Sequence, residues 1–128
     1  MACFPVMFQL RPRLVEAEFV GRVRRQQKGG YHLAFVEENH KAFSVAGYRF
    51  SECLSSGRHM YVDDLVTAED ARSRGYGGLL LDWLVAQARE QGCDEFHLDS
   101  GVQRFGAHRF YLAKRMEITA HHFALKLR

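Results

Sequence analysis

Between residues 72 and 78 the chain reads Arg-Ser-Arg-Gly-Tyr-Gly-Gly, directly ahead of the apolar run Leu79-Leu80-Leu81. Glycines that lead into a helix leave backbone N–H groups uncovered, and the helix dipole adds about half a positive charge at the same end. Arg72 and Arg74 bring two more cations. The combination suits a phosphate-sized anion, although the same glycines would also serve a tight turn and close helix-sheet packing. Two phosphate motifs are excluded. A P-loop needs Gly-Lys-Ser/Thr, and here Leu79 and Leu80 follow Gly78. A dinucleotide fingerprint needs a third glycine at Leu80 and a strand directly before it, whereas seven residues separate Thr67 from Gly75.

Other side chains could move protons. Asp63 and Asp64 are adjacent in an extended segment, where alternation sends neighbours to opposite faces, so one of the two is expected to face a pocket. Tyr111 stands between Phe110 and Leu112 and reads either as a core aromatic or as a hydroxyl donor. Glu37, His108, His121 and His122 are weaker candidates. The His121-His122 pair has no partner at metal-ligand spacing, so no metal is expected.

These residues need elements to hold them. Pro12 parts two helical segments, 4–11 and 14–28, and Gly29-Gly30 stops the second. Three extended segments follow at 31–38, 41–50 and 59–67, divided by polar turns and reading as an antiparallel meander. From Gly77 to Gln91, Leu80, Leu81, Leu84, Val85 and Ala88 form one stripe, with Gly92 as the stop signal. A strand at 95–100, a helix at 102–115 and a closing pair of strands, or one bent strand, at 118–127 complete the order. Helices, three strands, helix, strand, helix and strand make an α/β domain with a mixed sheet.

With 128 residues, 47% of them hydrophobic, the chain is expected to form a single domain over 1–128. Eighteen Lys and Arg against 15 Asp and Glu give a net charge of +3, enough for an anionic small ligand but short of a nucleic-acid footprint. Cys3, Cys53 and Cys93 are odd in number, widely spaced and without a CxxC pairing, and read as reduced thiols of a cytoplasmic protein. No apolar stretch approaches the length of a membrane span and no signal-peptide core is present, so no membrane partner is expected.

The pattern Arg-x-x-Gly-x-Gly, met by Arg72, Gly75 and Gly77, follows the strand Val62-Asp63-Asp64-Leu65-Val66-Thr67 and precedes the Leu-rich helix. With Ala-His-Arg-Phe-Tyr at 107–111 on the next helix, the chain resembles the GNAT superfamily of N-acetyltransferases, in register from about Ala2 to Arg128. The resemblance implies a three-layer α/β domain with helices on both faces of a mixed, mostly antiparallel sheet that splays at an acetyl-coenzyme A site. Backbone amides of Arg72, Ser73, Arg74, Gly75, Tyr76, Gly77 and Gly78 would hold the pyrophosphate. The pantetheine arm would pair with the strand carrying Leu65, Val66 and Thr67.

It further implies direct attack by a primary amine, of a small molecule or a protein, on the acetyl group. Tyr111 matches the usual general acid. A glutamate often described as the base in diamine acetyltransferases falls at Asp63, which could equally be an aspartate satisfied by backbone in a bulged strand. A non-catalytic acyl-coenzyme A-binding module is the alternative reading. Two departures stand out: Arg115 and Met116 replace the common Gly-Phe after Tyr111, and only Met1 to Cys3 precede the first helix where relatives carry a strand. Loss of that strand would bare segment 31–38 as a sheet edge, and a homodimer or another cover for that edge is expected.

Overall fold

In the computed structural model the described residues are 2–69 and 75–128. The elements up to Leu98 make one compact unit, and residues from Asp99 onward a second. In the first unit α1 (Phe4–Leu10) carries a proline in its first turn, where the missing N–H has no intrahelical partner to lose. The second helix, α2 (Glu16–Lys28), places Glu16 and Glu18 at its N-terminal end and Arg25 and Lys28 at its C-terminal end, the order that complements the helix dipole.

Strands β1 (His32–Glu38), β2 (Lys41–Cys53) and β3 (Gly57–Thr67) form the antiparallel meander, and β4 (Glu95–Leu98) pairs parallel with β3. The sheet order is β1-β2-β3-β4, so β1 is an edge strand among the described residues. Asn39 and His40, at φ 54° and 64°, supply the two left-handed residues that a tight hairpin turn between β1 and β2 requires. Between β3 and β4 runs α3 (Tyr76–Glu90).

Two apolar clusters sandwich the sheet. On one face Val6, Met7 and Phe19 from α1 and α2 pack against Ala42, Val45 and Val66. On the other, Leu80, Leu84 and Ala88 from α3 pack against Ala46, Tyr48, Met60 and Val62. Leu81 and Leu84 are almost wholly buried, and each such side chain is worth about 1.5–3 kcal/mol of transfer free energy. The first unit is thus layered helix-sheet-helix, as the resemblance implied. None of the helices among the described residues is long and apolar enough to cross a membrane.

The second unit contains α4 (Phe105–Ala113), shorter than the helix expected over 102–115. Its end answers the question raised by Arg115 and Met116. The Met116 N–H bonds the Tyr111 carbonyl and the Arg115 N–H bonds the Leu112 carbonyl, with Arg115 at φ 66° in the left-handed region. These are the two bonds of a Schellman cap, which α3 closes with Gly92 at φ 75°. The turn survives the loss of glycine, at a backbone cost of about 1–2 kcal/mol.

The expected closing strands at 118–127 do not form. This stretch carries no regular element, and Ile118, Phe123, Leu125 and Leu127 are exposed. Its alternation suits an extended chain, but a strand needs a paired neighbour, and no other strand lies in the second unit.

Candidate active site

The site begins where a ladder stops. Strand β3 is paired with β2 from Gly57 to Thr67, but with β4 only from His59, opposite Glu95, to Val62, opposite Leu98. Among the described residues no strand pairs with β3 on that side from Asp63 onward. Leu65, Val66 and Thr67, the three strand residues the sequence singled out, lie in this stretch beyond the β4 ladder. Its other side is tied down: Ser44 Oγ donates to the Val66 carbonyl at 3.2 Å and lies 3.2 Å from Thr67 Oγ1, and the Ala68 N–H reaches the Phe43 carbonyl at 2.8 Å. Main-chain groups left open in this way call for water or a ligand as partner.

At the same point β3 bulges. Asp64 pairs with Gly47 and Val62 with Tyr48, which leaves Asp63 as an extra residue. One extra residue reverses the in-out alternation of everything beyond it. Met60 and Val62 accordingly pack on the α3 face, whereas Val66 packs on the α1/α2 face. This corrects the expectation that only one of Asp63 and Asp64 could face a pocket. Counted from either side of the bulge, both carboxylates fall on the α1/α2 face, and both line one cavity of about 350 Å³ between those helices and the sheet.

Both carboxylates are engaged. Arg49 Nε donates to Asp63 Oδ2 at 2.8 Å, and its other end reaches Gln26 Oε1 at 3.1 Å. Arg11 Nε donates to Asp64 Oδ1 at 3.0 Å while its terminal nitrogen donates to the Asp63 carbonyl at 2.9 Å. The Tyr31 hydroxyl donates to Asp64 Oδ2 at 2.8 Å, and Arg49 lies over the Tyr31 ring. Burial, followed by the Asp64 charge, pushes the Tyr31 phenol well above its usual range, so it stays a donor. Tyr31 can reach across only because residue 47 is glycine: a Cβ there would stand 1.6 Å from the Tyr31 hydroxyl oxygen.

Arg11, Tyr31, Gly47 and Arg49 were not singled out from sequence. Gly47 alone offered a signal, since an isolated glycine inside a strand marks a bulge or a close approach.

At the glycine-rich turn, Arg72, Ser73 and Arg74 lie outside the described residues. Gly75 is the N-cap of α3 at φ 86°, a conformation that side chains disfavour, and the Leu79 N–H bonds its carbonyl at 3.0 Å. The helix therefore opens on Tyr76, Gly77 and Gly78, whose amides belong to the first turn that a helix leaves without internal acceptors. The Tyr76 ring stacks on Phe43, with centroids 5.0 Å apart, and its hydroxyl donates to Glu38. That side chain anchors α3 to the β1-β2 hairpin.

Tyr111 lies in the second unit, on α4, and is buried. Burial raises its phenol, with the Arg104 charge acting in the opposite direction, so the hydroxyl keeps its proton at neutral pH. Of the weaker candidates, His108 Nε2 lies 2.7 Å from the Gly101 carbonyl and His122 Nδ1 lies 3.3 Å from Asp99 Oδ2.

Known proteins resemble this chain in sequence and in fold. The sequence matches the acetyltransferase (GNAT) family over residues 1–116. The chain belongs to that family. It is 37% identical over 112 residues to an uncharacterized N-acetyltransferase, YhdJ, of Bacillus subtilis (strain 168), covering 87% of this chain and 79% of that one.

The fold of this GNAT protein is shared with glucosamine-6-phosphate N-acetyltransferase from Arabidopsis thaliana, with TM-score 0.79, 17% identity, and 98% of this chain and 88% of that one covered. It is shared also with AAC(6')-Iy, solved in complex with the bisubstrate analogue CoA-S-monomethyl-acetylneamine, with TM-score 0.83, 16% identity, and 99% and 90% covered. The protein is an N-acetyltransferase of a family that uses acetyl-coenzyme A.

Proposed function

We propose that this GNAT protein, acting as one domain, transfers the acetyl group of acetyl-coenzyme A to a primary amine by direct attack. The observation that carries the reading is the end of the β3-β4 ladder at Val62 and Leu98, which opens β3 just before the glycine-rich turn. Acetyl-coenzyme A brings an activated acyl carbon and a thiol leaving group.

The chain's own residues do the rest. Amides from Arg72 to Gly78 hold the pyrophosphate, aided by the positive end of α3. The main chain at Leu65, Val66 and Thr67, beyond the end of the β4 ladder, pairs with the pantetheine amides. Tyr111, kept protonated by burial, donates to the sulfur as the C–S bond breaks.

On the acceptor side the amine must arrive neutral, yet at pH 7 an ordinary ammonium with pKa about 10.4 is deprotonated in roughly one molecule in 2,500. Asp63, directly or through water, takes the amine proton at the wall of the cavity that also holds Asp64. Arg49 holds the Asp63 carboxylate in place through Oδ2.

The test has two arms. Calorimetry with acetyl-coenzyme A should give saturable binding, and thiol release in an amine panel should give turnover; the absence of saturable binding would end the proposal. Tyr111→Phe should lower kcat by about 10²–10⁴-fold while leaving coenzyme affinity nearly intact. Equal losses of binding and rate would make Tyr111 structural.

A further inference from the structure

The charge inside the acceptor cavity is unbalanced, and in a direction that selects the acceptor. Three guanidinium groups, Arg11, Arg13 and Arg22, line it together with Asp63 and Asp64. Both carboxylates already have cationic partners: Arg11 on Asp64 and, from β2, Arg49 on Asp63. Arg13, in the turn between α1 and α2, and Arg22, on α2, have no hydrogen-bond or acidic partner among the described residues. Both are exposed, so the cavity wall presents two solvated cations without acidic partners beside a pair of neutralised carboxylates.

Resting on the reading of this cavity as the acceptor site, we propose that the acceptor is an amine that also carries an anionic group, a carboxylate or a phosphate, held by Arg13 and Arg22 while its amine lies against Asp63 and Asp64. Arginine forks match the planar oxygens of either anion and can bind them with paired hydrogen bonds. A diamine would meet two unmatched positive charges at its far end. The same surplus of positive potential favours the uncharged form of the reacting amine, which is the nucleophilic one. The cavity, at about 350 Å³, suits a small metabolite.

The experiment compares acceptors of equal length by thiol release: 4-aminobutyrate, 4-aminobutanamide and 1,4-diaminobutane, with 3-aminopropyl phosphate as the phosphate counterpart. The two anionic amines should exceed the amide in kcat/KM by roughly tenfold or more, with the diamine poorest. The double variant Arg13→Gln/Arg22→Gln should erase that preference and leave acetyl-coenzyme A affinity unchanged. An amide or diamine that matches the anionic amines, or a preference that persists in the double variant, overturns the inference while leaving acetyl transfer intact. Failure to bind acetyl-coenzyme A instead overturns the proposed function.

Should none of the four be acetylated, the Nε–Hε resonances of arginine decide the matter in a titration with 3-aminopropyl phosphate. Saturable shifts at Arg13 and Arg22, and not at Arg24 and Arg25, support the inference. Their absence overturns it.

Discussion

The two halves of β3 obey different rules. From His59 to Val62 the strand lies between β2 and β4, and its even-numbered residues Met60 and Val62 fill the α3 face. Beyond Val62 the strand has lost β4, gained an extra residue at Asp63 and turned the opposite parity toward α1 and α2. The first half is scaffold, and in the proposed function the second serves both substrates: main chain beyond the β4 ladder for one and carboxylates for the other. A single irregularity separates the two, so the site is built by interrupting a sheet rather than by adding to it.

The contrast can be broken at either substrate. The largest effect is expected from Gly75→Val. A β-branched residue at φ 86° would re-aim the first-turn amides of α3, and calorimetry should show acetyl-coenzyme A affinity falling by about 100-fold or more in a protein that still unfolds cooperatively. Unchanged affinity would move the pyrophosphate away from this turn.

Next is Gly47→Ala, on the acceptor side. The new methyl collides with Tyr31, so urea unfolding should show a loss of about 1–3 kcal/mol, and acceptor turnover should fall sharply while coenzyme affinity changes little. A matching loss of coenzyme binding would mean that the two substrate sites are not separable.

A gentler probe is amide hydrogen exchange. Amides of residues 63–67 that point away from β2 should exchange fast in the free protein and slow by at least about tenfold with acetyl-coenzyme A. Those of 59–62, already in the β4 ladder, should not change. Equal protection of both halves would erase the distinction.

The smallest expected effect is a control at the closed end of the sheet. Hydrogen bonds with Ser56 and Ser55 bring the exposed Cys53 thiol down to about 7. Its alkylation rate should therefore rise through a midpoint near pH 7, as the thiolate forms above that value, and acetyl-coenzyme A should leave it unchanged. Buried Cys3, whose thiol burial pushes upward, should label slowly throughout.

What the sequence revealed follows the same division. The glycine-rich start of α3 was legible because its parts are adjacent in the chain. The helix stripe through Leu80, Leu81 and Leu84 was legible because burial on one face imposes a period. The cavity proposed for the acceptor was not, since Arg11, Tyr31, Arg49 and Asp64 come from four separate stretches and meet only in the folded chain. The bulge was legible only in part: a bulged strand was one of two readings at Asp63, but its effect on the facing of Asp64 and later residues follows from register, which composition and polarity do not report. At 118–127 the alternation of Phe123, Leu125 and Leu127 told of an extended chain but not of any neighbour to pair with it.

Asp63, the supernumerary residue of β3, also constrains how this gene can drift. Exchanging one side chain for another near it alters a contact. Losing its codon would close the bulge and leave Val62 opposite Tyr48 and Asp64 opposite Gly47, so that Leu65 and Val66 keep their present faces while the cavity forfeits one of its two acids. The sheet itself has no need of the supernumerary residue.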